Sequence, residues 1–104
     1  MSAGEFDKAI RRLIGQVGHW EAGRWAAAGA PGETRAEAVR ALVQGLADRG
    51  ADAEGRLHRP VPHLADTVLP DQLRVMADDL VAAGPDEKVL AEAAEEVTRV
   101  RKSL

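Results

Sequence analysis

Thr34-Arg35-Ala36-Glu37-Ala38-Val39-Arg40-Ala41-Leu42-Val43-Gln44-Gly45-Leu46-Ala47-Asp48 is the stretch on which the fold turns. Val39, Leu42, Val43 and Leu46 share one side of an α-helix, while Glu37, Ala41, Gln44 and Asp48 share the other. Thr34-x-x-Glu37 has the spacing of a capping box, in which each side chain satisfies a free backbone donor of the first turn. The pattern predicts a helix over 34–53, with Gly50 and Gly55 marking where it frays or stops.

Upstream, Phe6, Ile10, Leu13, Val17 and Trp20 recur at intervals of four and three, which predicts a long amphipathic helix over 5–28. Gly15, Gly18 and Gly23 lie inside it, each costing about 1 kcal/mol relative to alanine. Tertiary packing must therefore hold this segment, and the glycines read as a flat strip for the close approach of another helix. Gly29, Pro31 and Gly32 end it.

Downstream, residues 55–65 contain Pro60-Val61-Pro62, which pushes Arg59 and Val61 toward extended conformations. At about 3.1 Å per residue this linker could reach about 34 Å, so the following helix can start at either end of the fold. That helix is predicted over 66–83, capped by Asp66, with Pro70 in its first turn and Leu69, Leu73, Met76, Leu80 and Ala83 as its stripe. Gly84-Pro85 stops it. A last helix is predicted over 86–102, with Asp86 and Glu87 at its positive end and Arg99, Arg101 and Lys102 at its negative end. Its Leu90, Ala93, Val97, Val100 and Leu104 form a heptad-like face.

The expected fold is all-α: a four-helix bundle with short connections between the first two and the last two helices and an extended, proline-containing linker in the middle. The alternative is a three-helix core whose last helix docks against a second copy of the chain. The 104 residues fit one helical domain spanning 1–104. Leu, Ile, Val and Phe supply 23 of them, just above the roughly 20% floor of disordered chains. The core is lean, and 20 alanines favour helices packed closely on small side chains.

Composition also narrows function. A formal charge of −3 argues against sequence-independent nucleic-acid binding. The absence of cysteine removes disulfides, thiol nucleophiles and cysteine zinc sites. The only serines are Ser2 and Ser103, so no serine triad is expected, and no phosphate-cradling glycine loop is present. Residues 1–8 lack the apolar core of a secretory signal and no stretch is long enough to span a membrane, so a cytoplasmic protein without membrane attachment is expected.

His63-x-x-Asp66 offers a nitrogen and a carboxylate, too few for a zinc site, and the roles of His58 and His63 stay open between solvated and hydrogen-bonded linker residues. The acidic run between Asp66 and Glu96 reads as a solvated face. Arg49, Arg56 and Arg59 with Arg11 and Arg12 read as an anion patch or as scattered solvated side chains. No catalytic, metal or cofactor residue is predicted.

The densest polar and aromatic cluster is His19, Trp20, Arg24 and Trp25. On an uninterrupted helix Trp20 projects with the apolar stripe and Trp25 with Ile14 at its flank. Either both indoles cap the end of the core, or Ile14, Gly18, His19, Trp20, Arg24 and Trp25 form an interaction or ligand surface.

Arg59-Pro60-Val61-Pro62-His63-Leu64 and Leu69-Pro70-Asp71-Gln72-Leu73-Arg74-Val75-Met76, following Ala41-Leu42-Val43-Gln44-Gly45-Leu46-Ala47-Asp48, resemble small uncharacterised helical proteins of high-GC actinobacteria over roughly residues 34–84. The resemblance implies a bacterial cytoplasmic protein and carries no known activity or functional residue.

Taken together, these features point to a non-enzymatic helical module that binds a protein partner or self-associates, burying the Ile14, Gly18 and Trp25 flank or the heptad-like face of the last helix. The rival is a small-ligand-binding regulatory bundle with a pocket near Trp20, Trp25 and His19, walled on one side by the Pro-Val-Pro linker.

Overall fold

The computed structural model describes residues 2–104, and their regular structure is helical: α1 (Ser2–Val17), α2 (Ala22–Ala26), α3 (Arg35–Ala53), a 3-10 turn (Asp66–Val68), α4 (Leu69–Ala82) and α5 (Glu87–Ser103). The fold is all-α, as the periodicity predicts. Among the described residues β pairing is limited to an isolated antiparallel bridge between Ala28 and Thr34.

One unbroken helix over 5–28 does not form. α1 stops at Val17, and residues 18–21 separate it from the single turn and a half of α2. The N–H of Gly18 closes onto the Ile14 carbonyl at 2.7 Å, and a Cβ at Gly18 would lie 2.7 Å from the same oxygen. Only glycine takes this tightened turn, so the local cost of glycine overrides the apolar period. The glycine strip is also corrected. A Cβ at Gly15 or Gly23 would meet nothing within 4 Å, so no helix approaches there. The close approach occurs instead at buried Gly50, whose Cβ would stand 3.8 Å from the Leu80 Cα.

Both halves of the capping box form at the start of α3. Glu37 N–H donates to Thr34 Oγ1 at 3.1 Å, and Thr34 N–H donates to the Glu37 carboxylate at 2.9 Å. The donated backbone N–H holds the Glu37 carboxyl below its ordinary range. At the other end Gly55 takes φ +68°, and the Arg56 and Gly55 N–H groups return to the Ala51 and Asp52 carbonyls at 2.8 and 3.2 Å. This Schellman closure sets the direction in which the chain leaves the helix. Asp66 does not cap the next helix as expected; its carboxylate pairs with Arg40 at 2.7 Å, and the 3-10 turn leads into α4 with Pro70 in the first turn.

Long-range pairs give the helix directions. Arg40 meets Asp66, and ten residues further along α3 Gly50 meets Leu80, so α3 and α4 run parallel. Arg49 pairs with Glu92 and Glu96 while Gly45 faces Glu96, so α5 runs against α3. Gln16 reaches the Arg101 carbonyl near the C-terminal ends of α1 and α5, and Ala9 shares a groove with Ala91 and Ala94, so these two also run parallel. Phe6, Ile10, Leu13 and Val17 meet Val39, Leu42, Leu46, Leu69, Leu73, Leu80, Leu90 and Val97 in one buried core. The heptad-like face of α5 is spent here: Leu90, Ala93 and Val97 are buried, and Val100 and Leu104 pack against the core. It is not free to dock on a second copy.

Candidate functional site

The break after α1 decides what the tryptophans do. Because α2 starts afresh after residues 18–21, Trp25 turns inward and is fully buried, and Trp20 is 7% exposed. The rings meet edge to face, with centroids 5.0 Å apart and planes at 69°. The Arg24 and Arg35 guanidinium carbons each stand 5.3 Å from the Trp20 ring centroid, a cation–π arrangement in which Arg24 is exposed while Arg35 is half-buried with its Nε lacking a hydrogen-bond partner.

The expected surface therefore divides. Trp25 offers no surface, and Ile14 is half-buried against the core. Gly18, His19 and Arg24 stay exposed, and His19, Trp20 and Arg24 line a shallow hollow of about 330 Å³ with Glu21 and Gly23. The Pro-Val-Pro linker is no wall of this hollow. It lies along α3 and α4.

There the structure brings together residues that sequence reasoning left apart. An extended segment has no internal hydrogen bonds, so its carbonyls and remaining N–H groups need outside partners. Residues 56–65 carry no regular structure, and α3 supplies those partners at intervals of four. Asp52 takes the His58 ring at 2.6 Å. Gln44 Nε2 donates to the Arg59 carbonyl at 3.0 Å, while its Oε1 accepts from the Val61 N–H at 2.8 Å. Arg40 donates to the Leu64 carbonyl and to Asp66. From α4, buried Gln72 donates to the Pro62 carbonyl at 3.0 Å. The polar side of α3 is a rail for the linker. The signal available in the sequence was the recurrence of Arg40, Gln44, Asp48 and Asp52 every four residues, followed by a proline-rich segment with few hydrogen-bonding options of its own.

Two clefts flank Val61 and Pro62. One of about 130 Å³ lies beside Arg40, Val43, Gln44, His63 and Leu69. The other, about 220 Å³, has Leu46, Gly50, Val61, Met76 and Leu80 in its walls, with Leu57, Arg56 and Arg59 among its lining. Leu57 is 86% exposed.

His58 is the titratable part of this arrangement. Its hydrogen bond to Asp52 raises its pKa, opposed by desolvation and helped by the charges of Asp48, whose oxygen is 3.7 Å away, and Asp52. A raised folded-state value means that the imidazolium contribution is fully present below the ordinary value near 6.5 and is lost as pH rises through the raised one. The melting-temperature advantage of the native chain over His58→Gln is therefore expected to be largest at acid pH and to shrink as pH rises. A difference that is flat with pH, or an NMR titration placing His58 below 6.5, would contradict it.

Several of the remaining charged groups are tied down in ion pairs. Arg49 joins Glu92 and Glu96, Arg56 joins Glu54, and Arg11 and Arg74 both reach Asp7 while Arg74 also holds Asp78. Of the five arginines read as an anion patch or as scattered side chains, Arg11, Arg49 and Arg56 are engaged with neighbouring carboxylates, while Arg12 and Arg59 join no ion pair among the described residues. Among the described residues no three His, Asp or Glu side chains come together to hold a metal ion, and no helix is long and apolar enough to cross a membrane. Compared with protein-family models, with curated proteins and with solved structures, the chain matches none.

Proposed function

We propose that the chain is a non-enzymatic helical interaction module: its four long helices act as a four-helix bundle, and the extended 55–65 segment, strapped along α3, presents Leu57 to a protein partner. The reading takes the protein as cytoplasmic and needs no cofactor.

One observation carries it. Leu57 stands 86% exposed immediately after the fixed turn at Gly55, at the rim of the apolar cleft formed by Leu46, Val61, Met76 and Leu80. Covering a leucine side chain is worth roughly 1.5–3 kcal/mol, and an anchor beside a preformed apolar cleft is how interface energy concentrates. Distance supports the taut strap. From Asp52 back to Arg40, α3 spans about 18 Å at about 1.5 Å per residue; from His58 to Leu64 an extended chain covers about 19 Å at about 3.1 Å per residue. Leu57 sits between the start of this taut span, where His58 meets Asp52, and the fixed turn at Gly55, so both its flanks are anchored.

A photo-crosslinking residue at position 57 is expected to trap one discrete protein adduct in cells of the native host, while the same residue at exposed Gly23 does not. Identical adduct patterns from the two positions would end this reading.

A further inference from the structure

We infer that the groove between α1 and α5 is a twofold interface whose occupant is a second copy of this chain. The inference rests on the reading of the chain as an interaction module, but it uses a face that shares no residue with the Leu57 cleft.

The groove measures about 540 Å³ and has a floor of Ala9, Ala91, Ala94 and Thr98. Small side chains let another helix approach closely, but they specify nothing by themselves. The specification lies in the charges. Glu5, Glu95, Arg99 and Lys102 line the groove, and none of them joins an ion pair within the described residues. Their order matters because α1 and α5 run parallel. Glu5 lies toward the N-terminal end of the pair, Glu95 near the middle, and Arg99 and Lys102 toward the C-terminal end. The face therefore carries acid at one end and base at the other.

A twofold axis perpendicular to the helices reverses that polarity. With Gln16 level with Arg101, Glu5 sits near the level of Leu90, about 18 Å along the axis from Lys102. With the axis in the contact plane, α5 lies on the α5 of the second copy and α1 on its α1; rotation about a point near Val97 brings Glu95 opposite Arg99 twice, with Glu5 level with Lys102 and diagonally across the groove from it. A self-complementary patch is what an isologous dimer requires, and a parallel pairing in register would set acid end against acid end and base against base. A face about 25 Å long and two helices wide covers about 500 Å² per copy, so about 1,000 Å² in total, at the lower end for a specific interface. The dimer is accordingly concentration-dependent.

Sedimentation velocity from low micromolar to about 1 mM protein tests this. The mass is expected to climb from 11.1 kDa toward twice that value. Glu95→Arg and Arg99→Glu, both at exposed positions and both checked for native helicity, are each expected to weaken association by about tenfold or more. The double exchange Glu95→Arg with Arg99→Glu restores opposite charges across the axis and is expected to return the dimer. A constant 11.1 kDa, indifference to Glu95→Arg, or a double exchange that fails to rescue would each overturn the inference. Leu57→Ser is expected to leave the dimer unchanged. A dimer without a discrete adduct at position 57 overturns the partner reading alone; an adduct with a monomeric chain overturns the dimer alone. A second copy trapped at position 57 would place the axis on the wrong face.

Discussion

Trp25→Ala is expected to lower the stability of the fold by about 3–5 kcal/mol, the largest effect of any single substitution considered, and to reduce the melting temperature by at least about 12 °C. Trp25 has no exposed surface and makes its edge-to-face contact with Trp20, so truncation removes transfer energy, leaves a void and frees the neighbouring ring together. α2 is five residues long and has little hold of its own. Losing its buried anchor should therefore release the connection between α1 and α3, seen as faster amide exchange over residues 18–34. Trp25→Phe separates volume from polarity. The indole Nε1 is buried without a hydrogen-bond partner, so phenylalanine keeps most of the packing and removes an unsatisfied donor. It is expected to cost well under half as much as alanine. Denaturant unfolding of both variants checks this, and an alanine variant within 1 kcal/mol of the native chain would mean that Trp25 is not the anchor described.

Arg40→Ala is expected to cost about 1.5–3 kcal/mol and to loosen the 56–65 segment selectively. The guanidinium holds both the Leu64 carbonyl and Asp66, and its removal leaves a carboxylate that is only one-third exposed without its cation. The site sits where the strap rejoins the helices, so its loss opens one end while Gln44 and Asp52 still hold the rest. Chymotrypsin should then cut after Leu64, at the released end, faster than in the native chain by more than global stability alone explains. Arg40→Met retains the aliphatic stem beside Val43 and Leu69 and isolates the charge. If the methionine variant is cleaved no faster than the native chain, the strap is held by packing and the ion pair is incidental.

The two predictions mark where sequence reading succeeds and fails. The capping box of Thr34 and Glu37, the apolar faces of α3 and α5, Pro70 in the first turn of α4 and the turn at Gly84 were all legible because each depends on residues within one or two helical turns. Trp25 projected to the flank of the apolar stripe because a helical wheel assumes an uninterrupted helix, and Gly18 interrupts it; of the two readings offered for the indoles, capping the core is the one their burial supports. Gly50 read as a helix end and proved to be a contact point inside α3, facing Leu80 thirty residues away. The rail of Arg40, Gln44 and Asp52 was not legible because its partners, the backbone of residues 59–64 with the His58 ring and Asp66, lie on a segment whose path along α3 no helical period records.

By itself the sequence determined that this chain is helical, which side of each long helix is apolar, and how α3 begins. Only the tertiary structure decided that α3 and α4 run parallel, that the proline-rich segment must therefore return along α3, and that both tryptophans close the core instead of offering a surface. Helix periodicity is a property of neighbours three and four positions apart, written directly into the chain. Which face covers which is settled by burial and by hydrogen bonds between remote segments, and a linker long enough to reach either end leaves that choice to packing.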